Sequence, residues 1–507
     1  MSSFLYTIQH FLHWEYALLL SVIMLSGRLV VYFLIPPQNP RQIPAVPFWV
    51  TLLPLFQEVD QQELFRKYIA KPLYKHGAIK IFFGGQWNVI VQRSSYLSEV
   101  FKKEQVYNKS GNQKKIPHSL LAEFLGSNII SARADEWRSY RSVIQPGLQT
   151  VFETKPLFDN AQRLSEHLYQ MQTKAPSHGV TIQGILQRYS SANLLHCVFD
   201  NPVLSDAMMD IEHEVPLHST QLTLKRYLFR PLFMNFPVLD RFGSVIASRS
   251  KARALIREFT TLLQTQILQA PSKGRSEKPK SLRGQLVSAQ QDGVFTAKQL
   301  RDNLNVLYVA GQENPQLLMI SALYLLAKYP TIQEKLRHEI NTYGPIDSNP
   351  TINWQRLPYL TATTLECLRL FPPISQLINR QMAEPTWLGG DIYLPAGTYI
   401  GYNSYATNRD PTVWGPDVDT PRPERWGSTD EQISANYRGA KARAEFISFH
   451  GGSRACLGEK FALLEIKSTL FVLVKNLRWE LDASWEDRMT PAGPLHPRGV
   501  RIMFTKV

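Results

Sequence analysis

Apolar positions are spread unevenly along the chain, and their local periods separate it into parts. Residues 16–35, YALLLSVIMLSGRLVVYFLI, are apolar on every side, with Arg28 as the only charge. At ~1.5 Å per residue such a helix covers about 30 Å of hydrocarbon, so the run predicts a membrane anchor. Arg28 would cost roughly 2.5–3.5 kcal/mol at a bilayer centre, which the neighbouring Leu, Ile and Val offset. A cleaved signal peptide is the rival reading, but no basic stretch precedes the run and no small-residue cleavage site stands out. Residues 36–47, PPQNPRQIPAVP, then form a proline-rich spacer that neither helix nor sheet accommodates.

Beyond the spacer, AIKIFF (78–83) and NVIVQ (88–92) read as two strands around a GGQW turn. A mostly helical course follows, with APSKGRSEKPKSLRG (270–284) a solvated loop by composition. Thr296 and Gln299 have the spacing of a capping box and open a helix of roughly nine turns that ends before Pro330. Residues 387–400, WLGGDIYLPAGTYI, read as a short hairpin, and EKFALLEIKSTLFVLV (459–474) as a helix with an apolar stripe. The predicted fold class is mainly α with small β-sheets. Its parts are an anchor (1–35), a proline hinge (36–50) and one large body (51–507).

Composition adds two constraints. Lys and Arg exceed Asp and Glu to give a net charge of +14, which favours anionic membrane surfaces and acidic partners. Neither zinc spacing nor an aromatic nucleic-acid motif accompanies the charge, so nucleic acid is not an expected partner. Three cysteines, Cys197, Cys367 and Cys456, make no disulfide framework and suit a reducing compartment. Arg28 and Arg41 follow most of the apolar run, which places the body in the cytosol by the positive-inside tendency. Asn108-Lys109-Ser110 is formally a glycosylation sequon, and that topology leaves it unmodified.

The chemistry is concentrated in FHGGSRACLG, where Phe449, Gly452, Arg454, Cys456 and Gly458 form the pattern FxxGxRxCxG. This pattern resembles the haem-binding signature of the cytochrome P450 superfamily, the haem-thiolate monooxygenases, and the resemblance covers essentially the whole chain after the anchor. It implies the cytochrome P450 fold, heme b (iron protoporphyrin IX) as cofactor, and Cys456 as its axial thiolate and metal ligand. A thiolate pushes electron density through the iron and favours O–O cleavage. Glycines let backbone N–H groups approach the sulfur, and the dipole of the following helix favours its anion. Cys197 and Cys367 lack any such frame and are expected in the core.

Three further matches follow from the resemblance. Glu366 and Arg369 in TTLECLRLFPP match the ExxR pair. With Arg425 of PRPERW they imply the buried salt-bridge set that supports the haem loop. Trp137 and Arg141 in DEWRSYR match the WxxxR of a propionate-binding helix, and Arg380 in LINRQM stands where the family's second propionate arginine falls. A guanidinium meets a carboxylate bidentately, which suits that ligand.

The long helix carries AGQENPQ near its centre, although Gly and Pro cost a helix interior about 1 and about 3 kcal/mol. The family run there is A/G, G, x, D/E, T, T/S, whereas this chain has Ala310, Gly311, Gln312, Glu313, Asn314 and Pro315. The resemblance implies that Ala310 and Gly311 leave room for the porphyrin and O2. The usual threonine hydroxyl is missing. Pro315 has no N–H for the Gly311 carbonyl, so a kink is expected, with a water held at that carbonyl, Glu313 relaying protons and Asn314 hydrogen-bonding the distal oxygen. The run AGQENPQLL also resembles fungal enzymes that couple tyrosine-derived phenols, as in dityrosine, or act in xanthocillin-type isocyanide pathways.

Family analogy places the pocket walls at Ile116, His118, Leu120 and Phe124, at Asn303 and Leu307, and at Ser375, Gln376, Leu377 and Leu495. The implied partners are O2, a small-molecule substrate, a membrane and NADPH-cytochrome P450 reductase, since no flavin or dinucleotide fingerprint occurs in the chain. Arg138, Lys441, Arg443 and Lys460 are expected on the thiolate side, where an acidic reductase domain would be steered. The implied location is the endoplasmic reticulum membrane, single-pass, with the catalytic body cytosolic. Hydroxylation of an unrelated apolar metabolite, a reductase-independent rearrangement and a non-catalytic haem-binding role stay open as alternatives.

Overall fold

A computed structural model describes residues 2–268, 281–344, 352–491 and 493–507. Within the first helix, α1 (Ser2–Leu34), Trp14–Tyr32 is long and apolar enough to cross a membrane, with none of that window buried. The spacer after it is less free than its prolines suggest. Lys80 Nζ donates to the carbonyls of Pro37 (2.9 Å) and Pro40 (3.1 Å), Val46 N donates to the Lys80 carbonyl (2.9 Å), and Ile43, Val46 and Val50 are buried. Helix α2 (Phe48–Phe56) also starts inside the expected hinge. The body therefore begins before residue 51, because proline-fixed extended backbone still offers its carbonyls to a neighbouring strand.

Five strands form the main sheet: β1 (Ala78–Phe83), β2 (Gln86–Val91), β3 (Tyr107–Lys109), β4 (Gln376–Met382) and β5 (Tyr399–Asn403), in the order β1-β2-β5-β4-β3. Gly84 and Gly85, at φ +63° and +79°, make the two-residue turn between β1 and β2, a left-handed pair that glycine adopts without strain. The predicted hairpin divides. Thr386–Leu388 pairs with Ile392–Leu394, while Tyr399 and Ile400 belong to β5 in the main sheet. β3 and β4 run antiparallel with Lys109 opposite Arg380, a register that matters below.

Helices make the rest. The central helix, Ala297–Lys328, opens with the predicted capping box: Gln299 N donates to Thr296 Oγ1 (3.2 Å) and Thr296 N to Gln299 Oε1 (2.9 Å). It runs through Pro315 without interruption, so the expected break is confined to the one amide that proline lacks. Of the predicted loop at 270–284, residues 270–280 lie outside the described residues. Its end is helical instead, because Ser281 accepts from Gly284 N and caps Leu282–Gln291.

Buried amides and hydroxyls join the central helix to its neighbours. Gln221 Nε2 donates to Gln312 Oε1 (2.9 Å), Gln312 Nε2 to Gln316 Oε1 (3.0 Å), and Ser190 Oγ to the Gln312 carbonyl (2.9 Å). A second chain runs from Asn160 to Asn193 and on to Glu465, on the helix Glu459–Asn476. Burial, the largest influence, pushes the Glu465 carboxyl up to about 8, so it is protonated at neutral pH. Its folded value lies above the unfolded carboxylate range. The stability contribution is therefore complete in acid and is lost as pH rises through about 8. Between pH 6 and pH 8 wild-type protein should lose roughly 2 kcal/mol that Glu465→Gln does not, read from melting curves at the two pH values.

Candidate active site

The cysteine loop is shaped before it reaches the sulfur. His450 and Gly452 both adopt left-handed backbone, at φ +60° and +67°, and a Cβ on Gly452 would lie 2.5 Å from the Phe101 carbonyl oxygen. Only glycine fits there. Cys456 N donates to the Phe449 carbonyl (3.0 Å), and the backbone N–H groups of Gly458 and Glu459 point at the sulfur from the start of helix Glu459–Asn476. Cys456 is exposed toward a cavity, Cys367 is buried and Cys197 half-buried. Burial dominates the Cys456 thiol and pushes it up to about 11, against the pull of those two amides and of Lys441. Such a sulfur is protonated at neutral pH unless a metal cation binds it.

The expected salt-bridge set supports this loop through a specific route. Arg369 grips Glu366 bidentately (Nε–Oε2 2.9 Å, Nη2–Oε1 2.8 Å), and both are fully buried. Arg425 Nε lies 3.6 Å from Glu366 Oε1 but spends its other nitrogens on Asp417 and the Trp414 carbonyl. Closer donors to Glu366 are Trp426 Nε1 (3.1 Å) and Arg422 N (3.0 Å). From Arg369 the chain passes through Nη1 to the Asn408 carbonyl (3.1 Å). Asn408 in turn accepts from Ile447 N (3.0 Å) and donates to Ser448 Oγ (2.8 Å). Asn408, Ser448 and Trp426 were not legible as site residues, because no local spacing marks them.

Cys456 opens onto a cavity of about 400 Å³, within the usual size of small-molecule sites. Val306, Leu307, Ala310, Gly311, Asn314, Pro315 and Leu318 of the central helix line it, with Ile374, Leu377, Leu125, Ile129 and Ile130 completing an apolar wall. At one edge stand Lys109, Trp137, Arg141 and Arg454, and no carboxylate lines the cavity among the described residues. Arg454 lies 3.9 Å from the Trp137 ring centre and bonds Glu104 through Nε (2.6 Å), leaving Nη1 unpartnered. Arg141 stacks on the same ring (5.2 Å) and donates to the Ser453 carbonyl (2.9 Å). Arg380, fully buried behind this edge, donates to the Tyr107 carbonyl (2.8 Å) with its Nε unpartnered. His450 lines the same edge, and burial beside Lys109 and Arg380 lowers it to about 3, so it is neutral. An apolar slot, an excess of cations at one edge and a sulfur at one wall fit an iron porphyrin with two carboxylates.

The distal residues are placed differently from expectation. Ala310, Gly311 and Asn314 border the cavity, but Glu313 does not; it pairs with Lys225 of helix Pro216–Leu228 at 3.0 Å. A Cβ on Gly311 would come 2.7 Å from Leu194 Cδ1, so the room this glycine leaves serves helix packing as well as the cavity. Asn314 Nδ2 donates to the Ala310 carbonyl (3.2 Å), a bond within its own helix. Of the ten expected wall residues, Leu307 and Leu377 line the cavity. Leu120, Phe124 and Leu495 are core, Asn303 accepts from Ile129 N, Ser375 donates to the Gly493 carbonyl and His118 meets Arg241. Lys109, Asn379, Leu125 and residues 128–131 take their places.

Of the four expected docking cations, Lys441 reaches Glu459 just after the cysteine loop, and all four are engaged with other groups. Lys441 pairs with Glu459 (2.6 Å), Arg443 with Glu445 (2.8 Å) and Arg138 with Asp135, while Lys460 donates to the Thr150 carbonyl.

Comparisons with known proteins agree with this geometry. The family model described as Cytochrome P450 matches residues 40–502. The chain is 40% identical to cytochrome P450-DIT2 of Saccharomyces cerevisiae over 498 residues, 96% of this chain and 98% of that protein. It is 37% identical to cytochrome P450 monooxygenase xanG of Aspergillus fumigatus over 472 residues, 91% of this chain and 86% of that one. Echinocystic acid 23-monooxygenase of Saponaria officinalis is 24% identical over 424 residues, 79% and 78% of the two chains.

Glu366→Ala would leave the Arg369 guanidinium buried without its carboxylate, at a cost of about 3–5 kcal/mol. The expected result is loss of most folded, pigment-bearing protein on expression, while Glu366→Asp retains a measurable fraction.

Proposed function

The chain belongs to the cytochrome P450 family and is an oxidoreductase of the monooxygenase class; on that premise we propose that it hydroxylates or oxidatively couples a small tyrosine-derived phenol or isocyanide. O2 is the oxidant, and electrons come from NADPH-cytochrome P450 reductase at the endoplasmic reticulum membrane, to which Trp14–Tyr32 fixes the body. The observation that carries the reading is the cavity itself: the Cys456 sulfur at one wall, Ala310, Gly311 and Asn314 of the central helix lining it, and cations at one edge. The stretch AGQENPQLL and the two full-length fungal relatives support the choice of substrate class.

Iron protoporphyrin bound through the Cys456 thiolate supplies the oxygen activation. The protein's own residues do the rest. The Gly458 and Glu459 amides stabilise the sulfur's charge, and Arg141 and Arg454, with Arg380 behind them, would take carboxylates at the edge. Val306, Leu307, Ile374 and Leu377 exclude water and hold an aromatic ring by contact. Asn314, with one amide hydrogen spent on Ala310, keeps three hydrogen-bonding positions for a phenol or a water. The Gly311 carbonyl has no amide partner at Pro315 and is free to accept from a water. Glu313, turned toward Lys225, is not assigned to this path. The apolar wall also favours a second reading, hydroxylation of an unrelated apolar metabolite.

Incubation of the full-length protein and reductase with NADPH and either N-acetyltyrosine or a tyrosine-derived isocyanide should yield a dimer or a hydroxylated product by mass spectrometry. Absence of both, with turnover of an apolar metabolite instead, would favour the second reading. In the same assay Asn314→Thr should change the product formed per NADPH; an unchanged ratio would remove Asn314 from the reaction.

A further inference from the structure

Lys109 is a cation of the cavity edge for which no role has yet been given. It is 4% exposed, it lines the cavity, and its ammonium has no ion pair or hydrogen bond among the described residues. Its setting makes that position costly. The β3–β4 register puts it directly across from Arg380, itself 1% exposed, and like charges in that relation repel. Burial first, then Arg380 and Arg454, hold its ammonium well below the usual lysine range. Asn379 lies next to this pair, lines the cavity, and finds no partner at hydrogen-bond geometry for either Nδ2 or Oδ1. A buried lysine, a facing arginine and an idle carboxamide describe a place built for an anion.

A charge tally shows what is left over. With Lys109 protonated against an incoming anion, Lys109, Arg141, Arg380 and Arg454 are four cations, and Glu104 on Arg454 is the one carboxylate paired with them among the described residues. The porphyrin brings two more carboxylates. One positive charge then remains at the edge of an otherwise apolar cavity.

We propose that Lys109, assisted by Asn379, is a carboxylate-recognition point of the cavity, matched to a ligand that carries an acid group. The ligand's carboxylate is either the substrate's, as an N-acylated amino acid would present, or one of the cofactor's, and the chemistry that recognises it is the same. The proposal draws on the function proposed above only for the choice of probe.

The test uses cofactor-loaded, full-length protein. Ferric protein is titrated with N-acetyltyrosine and with its methyl ester, following the Soret band, and separately its cofactor is drawn off by excess apomyoglobin. Lys109→Gln and Lys109→Met are compared with wild type, with Lys109→Arg as the charge-restoring control and Asn379→Ala as a second position. A substrate carboxylate predicts that the acid weakens about ten-fold or more while the ester stays within about two-fold and cofactor transfer is unchanged. A cofactor carboxylate predicts transfer faster by about ten-fold with the acid-to-ester ratio held. Both results support the site, and Lys109→Arg should reverse either. An unchanged ratio together with unchanged transfer overturns it, as does an equal loss of acid and ester with unchanged transfer, which a lysine of purely structural role would give. If wild type binds neither probe, the substrate class proposed above fails, and Lys109 stands or falls on the transfer rate alone.

Discussion

A sulfur atom set in the wall of an interior cavity, where its surroundings disfavour the anion, is the constraint from which the rest of the structure follows. Left alone, the Cys456 thiol is driven up by burial, and two backbone amides do not by themselves reverse that. A metal cation does. The loop is arranged to hold the sulfur ready for such a partner. Left-handed backbone at His450 and Gly452 brings it against Phe101, and the helix that starts at Glu459 directs its first amides back at Cys456.

A strained loop keeps such a geometry only if its surroundings over-determine it. Here that is done by a fully buried carboxylate–guanidinium pair, Glu366 with Arg369, whose remaining nitrogen reaches Asn408 and through it Ile447 and Ser448. The burial that raises the thiol also makes this pair indispensable, since neither charge can be left without the other. At the far edge of the cavity the requirement is opposite in sign. The indole of Trp137 stacks with the guanidiniums of Arg141 and Arg454, and Glu104 answers only the second of them, so cationic charge is left at this edge for carboxylates from outside the chain.

What could be read from the sequence was whatever is encoded by short spacing. FxxGxRxCxG sets one loop, ExxR sets two side chains one helical turn apart, and Thr296 with Gln299 sets a helix start; each is a local pattern whose geometry the backbone supplies. What could not be read depends on segments distant in the chain. Lys109 meets Arg380 only because β3 pairs with β4, and within NKS it signalled nothing but a sequon. Asn408 and Ser448 are polar residues in unremarkable surroundings until tertiary packing joins them. The central helix shows the same limit. Its Gly311 and Glu313 answer to Leu194 and Lys225 on other helices as much as to the cavity. The proline hinge was readable as extended backbone, but its docking onto Lys80 was not.

The account stands on sulfur ligation at Cys456. Reduced protein exposed to carbon monoxide should show the red-shifted Soret band that thiolate ligation produces, and Cys456→Ser should abolish that band. An unshifted band in the wild type, or a serine variant with the same spectrum, would contradict it.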